Sequence, residues 1–319
     1  MSVPVQHIIH QTSVVASLGS TTWRSVLQRL GLGAPGESPL PGPEIKARIA
    51  PRSPALVRDY VRHVGGDPDA YRQTVPAHFF PQWSLPLAAR TLDHVRYPLL
   101  KIMNGGCRLQ IRAPLLLQEA FEVSARLESI EDDGRRAVLR QRIVTGTLAH
   151  PSALTADLYA IVPSSPRGPA PGPDGLGARR GANTDGSARK EAARVPDAAR
   201  ELRRFELGPS AGLDFAMLTG DFNPIHWLGP YARAFGFGGP ILHGFATMAR
   251  AMEGLYRDLF AGAVDRIRVF DVRFTRPLRL PANVGLFVQD NRCFVGDAVG
   301  GLAYLVGEIE TETSRQDPS

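Results

Sequence analysis

At 319 residues the chain is long for one domain and fits two, since domains cluster near about 100 to 150 residues. A hydrophobic fraction of 43% and a charged fraction of 21% exclude wholesale disorder, and no apolar run approaches the roughly 20 residues that cross a bilayer. The formal charge of +6 comes almost wholly from arginine, because Lys46, Lys101 and Lys190 are the only lysines; no recognition motif accompanies it, so neither nucleic acid nor membrane is expected as a partner.

Residues 1–50 read as an N-terminal extension. The segment has no acidic residue before Glu37, carries Arg24 and Arg29, and is rich in Ser and Thr, as mitochondrial transit peptides are, although Pro4 opposes that reading. Cys107 and Cys293 are far apart and lack metal-ligand spacing, which argues against a disulfide framework or a zinc site and for a reducing compartment. The expected location is cytoplasmic, with mitochondrial as the alternative.

Residues 51–163 form the first expected domain. Trp83 to Ala89 suggests a short helix with Pro86 in its first turn. Phe121 to Glu128 alternates strictly between apolar and polar residues, the pattern of a strand with one face on a core. Asp132-Asp133-Gly134 supplies turn chemistry, Ala137 to Thr145 returns antiparallel, and Leu154 to Val162 adds another strand. Residues 164–200 are Pro-, Gly-, Ala- and Arg-rich with almost no large apolar side chain, and read as a flexible linker.

Residues 201–319 repeat the order. Arg203 to Leu207 suggests a strand, a loop-rich stretch follows, and His243 to Phe260 carries apolar residues at three- and four-residue steps, the mark of a buried helix. Strands are expected at Ile267 to Thr275, Val284 to Asp290 and Leu302 to Thr311. A local echo supports a duplication: Ile111-Arg112-Ala113-Pro114-Leu115 and Phe274-Thr275-Arg276-Pro277-Leu278 both end a strand at a proline.

The chemistry concentrates in Phe215-Ala216-Met217-Leu218-Thr219-Gly220-Asp221-Phe222-Asn223-Pro224-Ile225-His226, followed by Ala232 and by Ile241-Leu242-His243-Gly244-Phe245. Pro224 keeps Asn223 out of the helical region, so Asp221 and His226 share an irregular loop that can turn both toward one water as a general acid/base pair. Taken by spacing alone, the same residues also suit a plain turn in which Asp221 and Asn223 cap backbone amides and His226 packs.

The stretch closely resembles the hydratase-2 motif of the MaoC-like family of (R)-specific enoyl-CoA hydratases and hydroxyacyl-thioester dehydratases; Phe215, Thr219, Gly220, Asp221, Asn223, Pro224, Ile225, His226 and Ala232 all fit it. Leu228 departs from it, standing where family members often carry an acidic residue. Val75 to Pro81 and Leu85-Pro86-Leu87 more loosely resemble the degenerate N-terminal half of the double-hotdog dehydratases, and that half contains no second Asp-x-Asn-Pro-x-His.

The resemblance implies an α+β fold of tandem hotdog domains, each an antiparallel sheet around a central helix, paired within one chain and open to homodimerisation. It implies reversible hydration of trans-2-enoyl thioesters to (3R)-3-hydroxyacyl thioesters, with Asp221 and His226 catalytic. Asn223, the Gly244 amide and His243 are expected beside substrate, Gly244 because a helix N-terminus presents unpaired amides; Asn223 equally suits holding the loop, and His243 better suits orienting it. No metal, flavin or nicotinamide site is visible, and the mechanism needs no cofactor. Coenzyme A and acyl carrier protein both remain open as the acyl handle, and either dyad member can be the base. A hotdog thioesterase and a non-catalytic acyl-thioester scaffold are the alternatives. Trp83 and Leu87 are expected either to line an acyl cavity or to fill the core.

Overall fold

A computed structural model describes residues 39–98, 102–163 and 192–312, together with Val3, Pro4 and His7. Most of the expected linker and most of the N-terminal segment lie outside the described residues. Ten strands make one antiparallel sheet. They are β1 (Ile45–Ile49), β2 (Met103–Ile111), β3 (Phe121–Asp132), β4 (Arg136–Gly146) and β5 (Leu154–Pro163) in the first half, and β6 (Arg200–Leu207), β7 (Ile267–Phe274), β8 (Ala282–Gln289), β9 (Arg292–Gly296) and β10 (Ala303–Thr311) in the second. Their spatial order is β1-β3-β4-β5-β2-β7-β10-β9-β8-β6. Helices α1 (Pro54–His63), α2 (Pro81–Thr91), α3 (Ala211–Thr219), α4 (Gly229–Ala234) and α5 (Gly244–Asp258) complete the framework. Each half is a hotdog, α2 being wrapped by the first five strands and α5 by the last five.

The sequence periods account for these elements. In β3 the residues Phe121, Val123, Ala125 and Leu127 are buried while Glu122 is exposed, as alternation requires. The β3–β4 hairpin closes on Asp133, whose Oδ1 accepts from the amides of Arg135 (2.9 Å) and Arg136 (2.8 Å). Helix α5 buries Phe245, Met248, Ala249, Met252 and Leu255 on nearly all sides, so it is a core helix.

Three boundaries differ from expectation. The first hotdog begins before residue 51, because β1 pairs with β3 in the register Ile45↔Ala125 to Ile49↔Phe121 and its alternating Ile45, Ala47 and Ile49 pack on the core. Helix α2 starts at Pro81, so Pro86 lies inside it rather than in its first turn. The sheet absorbs the end of the expected linker too, since Val195 is buried and its amide donates to the Gly301 carbonyl at 3.0 Å.

The halves meet where β2 pairs with β7, and the register there is informative. Arg108 and Asp271 each stand three residues before the echoed strand ends at Ile111 and Phe274, and they pair with each other. Equivalent residues facing one another mark a local twofold axis, as in an isologous dimer. One fused chain thereby reproduces a hotdog dimer, with Arg108 and Asp271 bridged at 3.2 Å on the axis. Trp83 and Leu87 belong to the continuous core; the Trp83 indole donates to Thr145 Oγ1 at 3.1 Å. They fill the interior.

Candidate active site

Helix α3 ends at Gly220, whose φ of +84° a side-chain-bearing residue rarely adopts, and the chain there leaves the helix into the Asp221 loop. Asn223 Oδ1 accepts from the Ile225 amide at 3.2 Å and so caps the short turn Pro224–His226. That turn carries His226 back against α3. The approach is so close that a Cβ at Gly212 would collide with the His226 carbonyl oxygen.

His226 Nδ1 donates to the Ile241 carbonyl at 2.8 Å, which fixes the tautomer and leaves Nε2 as an acceptor. His243 is 1% exposed, donates from Nε2 to the Asp221 carbonyl at 2.9 Å, and stacks on the His226 ring with centroids 3.5 Å apart. Its Nε2 lies 3.9 Å from Asp221 Oδ2. Ligand-capable atoms of Asp221, His226 and His243 all fall within 4.8 Å of one another. Since each imidazole commits one nitrogen to a carbonyl and the rings stack, their remaining lone pairs lie in separate planes, a poor arrangement for chelating one cation.

Burial pushes His226 below its ordinary value, against the pull of Asp221 and the Ile241 carbonyl. Burial and the neighbouring His226 push His243 well below it. Both rings are neutral at neutral pH. His63 on α1 is held at about 3 by burial and by the Arg250 guanidinium, which donates to it at 3.0 Å. All three histidines are depressed in the folded state, so acid favours the unfolded chain, in which they protonate near the usual 6.5 or so. The melting temperature is expected to be flat above that pH and to fall steadily below it; a flat profile down to about pH 5 would contradict the burial of neutral imidazoles.

The N-terminal end of α5 adjoins this trio. The amides of Ala246 and Thr247 return to the His243 carbonyl, and Gly244 is the first helical residue, with no helical carbonyl before it to accept its N–H. A Cβ at Gly244 would stand 2.7 Å from the Phe274 ring, so glycine lets the helix start tightly against β7.

The structure brings Asp221, His226 and His243 together, His243 being the residue that precedes α5. Asn223 is exposed with its Oδ1 spent on the turn. Asn223→Ala is therefore expected to cost about 1 kcal/mol of stability with KM unchanged; a raised KM at unchanged melting temperature would instead put Asn223 on substrate. Sequence reading missed Gly212 and the Ile241 carbonyl, both of which act through approaches made only in the fold.

The first half repeats the geometry without the chemistry. Gly65, with φ +87°, ends α1 as Gly220 ends α3. Asp67 Oδ1 then accepts from the Asp69 amide at 2.9 Å to cap the turn Pro68–Tyr71, as Asn223 caps its own. Counting from these landmarks, Gly66 stands for Asp221 and Ala70 for His226, while Pro81 opens α2 as Gly244 opens α5. Proline has no N–H to offer. Glu253 of α5 fills the vacated space: its carboxylate lies against Gly66 and its Oε1 is 2.8 Å from buried His78 Nε2.

Residues 191–304 match the MaoC like domain. The chain is 35% identical over 97 residues to 3-hydroxyacyl-thioester dehydratase X of Mycobacterium tuberculosis, covering 30% of this chain and 32% of that protein. It is 21% identical over 212 residues to a probable enoyl-CoA hydratase 2 of Dictyostelium discoideum, covering 66% and 68%. The crystal structure of HtdX from M. tuberculosis superposes with a TM-score of 0.64 at 18% identity, over 84% of this chain and all of that one. A second M. tuberculosis protein, described as having a double hotdog fold, gives 0.55 at 14% identity, over 86% of this chain and 98% of that one. Residues 191–304 are thus a MaoC-like domain, and the chain around them has the double-hotdog fold of the solved MaoC-like relatives.

Proposed function

We propose that the protein reversibly hydrates trans-2-enoyl thioesters to (3R)-3-hydroxyacyl thioesters, using Asp221 and His226 on one water. The observation that carries this reading is His226, whose Nδ1 is held by the Ile241 carbonyl so that Nε2 is left as an acceptor, beside the Asp221 carboxylate and the first amide of a buried helix. The relatives named for enoyl-CoA hydration and hydroxyacyl-thioester dehydration support the substrate class.

In the forward direction the water oxygen bonds to C3 while one of its protons passes to the dyad. The C2–C3 π pair moves toward the thioester carbonyl, whose oxygen gains charge, and the Gly244 amide stands as donor to it. Such a donor is typically worth about 3 kcal/mol in the transition state. C2 then takes a proton from the dyad, and the carbon–sulfur bond stays intact. His243, spent on the Asp221 carbonyl and on stacking, is a positioning residue in this scheme.

A panel of enoyl-CoA and enoyl-carrier-protein substrates tests the proposal: loss of the conjugated double bond without free thiol is the expected result. Release of thiol would favour a thioesterase, and binding without turnover a scaffold. Because the neutral form of His226 does the work, kcat/KM is expected to hold at neutral pH and to fall on the acid side of a value below the usual 6.5 or so.

A further inference from the structure

Trp227, Leu228 and Phe235 are 37%, 41% and 39% exposed, an unusual density of bare apolar side chains immediately after the catalytic loop. They are not loose. The Trp227 indole donates to the Phe222 carbonyl at 3.3 Å, and the Phe235 ring packs on Tyr231 across α4 at 4.7 Å between centroids. Arg279 joins the patch, since it bridges Ile241, whose carbonyl holds His226, and donates to the Gly238 carbonyl at 3.3 Å just beyond α4. Arg233 is exposed on α4 itself.

The surrounding sequence carries no negative charge. No Asp or Glu occurs between Asp221 and Glu253, or between Asp271 and Asp290, and both stretches contribute to this rim. Among the described residues, neither Arg233 nor Arg279 has a carboxylate partner. An unneutralised basic rim would by itself suit the phosphates of a small thioester. Exposed indole and phenyl groups interleaved with that charge are instead the composition of a protein-docking surface, in which aromatic anchors and arginine are enriched.

We infer that Trp227, Leu228, Arg233, Phe235 and Arg279 form a docking surface for a small acidic carrier protein that presents its acyl thioester on a flexible arm. The inference rests on the acyl-thioester reading above and specifies the handle. Charge on the rim steers the acidic partner, the apolar side chains hold it, and the arm carries the thioester past Trp227 to the start of α5.

Direct binding tests it without relying on turnover. A carrier protein loaded with a saturated acyl chain, and the matching saturated acyl-CoA, are titrated against the full chain, Arg233→Glu, Arg279→Glu and Phe235→Ser. Each variant is expected to weaken carrier binding about tenfold or more, with acyl-CoA binding held within about twofold and the carrier affinity of the parent falling as salt rises. Equal losses for both ligands would overturn the inference and assign the arginines to phosphate; no loss for either would overturn it too. Selective carrier loss in all three variants, each melting with the parent, supports it. Carrier binding that persists in a protein unable to hydrate the unsaturated thioester would sink the hydratase reading and leave the docking surface standing.

Discussion

Asp221→Asn and His226→Ala are each expected to lower hydration of a trans-2-enoyl thioester by at least about a hundredfold, the scale of a lost acid/base group, with the fold retained. Neither side chain is part of the buried core, and the hydrogen bond lost in His226→Ala links a ring to a single carbonyl, that of Ile241. Because the two groups share one water, the losses should not multiply: the double variant is expected to be little worse than the poorer single one. Steady-state kinetics on the three variants checks this. A double variant that loses the full product of the two effects would mean that Asp221 and His226 act separately.

Gly212→Ala is expected to be comparably damaging although residue 212 bears no functional group. The added methyl meets the His226 carbonyl, so either α3 or the turn Pro224–His226 must move. A displacement of about 1 Å at a catalytic group can cost on the order of a hundredfold in rate, while overpacking of this kind typically costs about 1 to 3 kcal/mol of stability. The signature is a kcat loss out of proportion to the fall in melting temperature, contrasted with Leu213→Ala next to it on the exposed side of α3, which should be nearly silent in rate. Gly212→Ala with parental kcat/KM would show that the His226 turn is not held by α3.

The Asp221–His226 loop was legible because its punctuation is local. Gly220 ends a helix, Asn223-Pro224 opens a turn, and these residues dictate backbone shape without help from the rest of the chain. The strands around Phe121 and Phe270 were legible from alternation. Helix α3 was not, because Phe215, Ala216, Leu218 and Thr219 are buried between the halves and leave little periodic signal. Helix α1 carries a usable signal in Ser53-Pro54 followed by Val57, Tyr60 and Val61. The start of strand β2 was hidden by Gly105-Gly106, and β9 by its five-residue length after a tight turn at Asp290.

The twofold relation between the halves could be suspected from the Pro114 and Pro277 echo, but only pairing of Arg108 with Asp271 locates the axis. The difference between the two halves at this place is likewise visible in sequence only as a missing Asp-x-Asn-Pro-x-His. The fold supplies its physical content, with Pro81 in place of an amide donor and Glu253 against Gly66.

The most direct test of the central claim is hydration of a trans-2-enoyl thioester in water enriched in oxygen-18, with the product's label and configuration read together. Attack at C3 by a dyad-bound water predicts a (3R)-3-hydroxyacyl thioester labelled at the C3 hydroxyl, an intact carbon–sulfur bond, and product formed at least about a hundredfold more slowly by Asp221→Asn. Label in a free carboxylate beside released thiol, or a (3S) product, would contradict it.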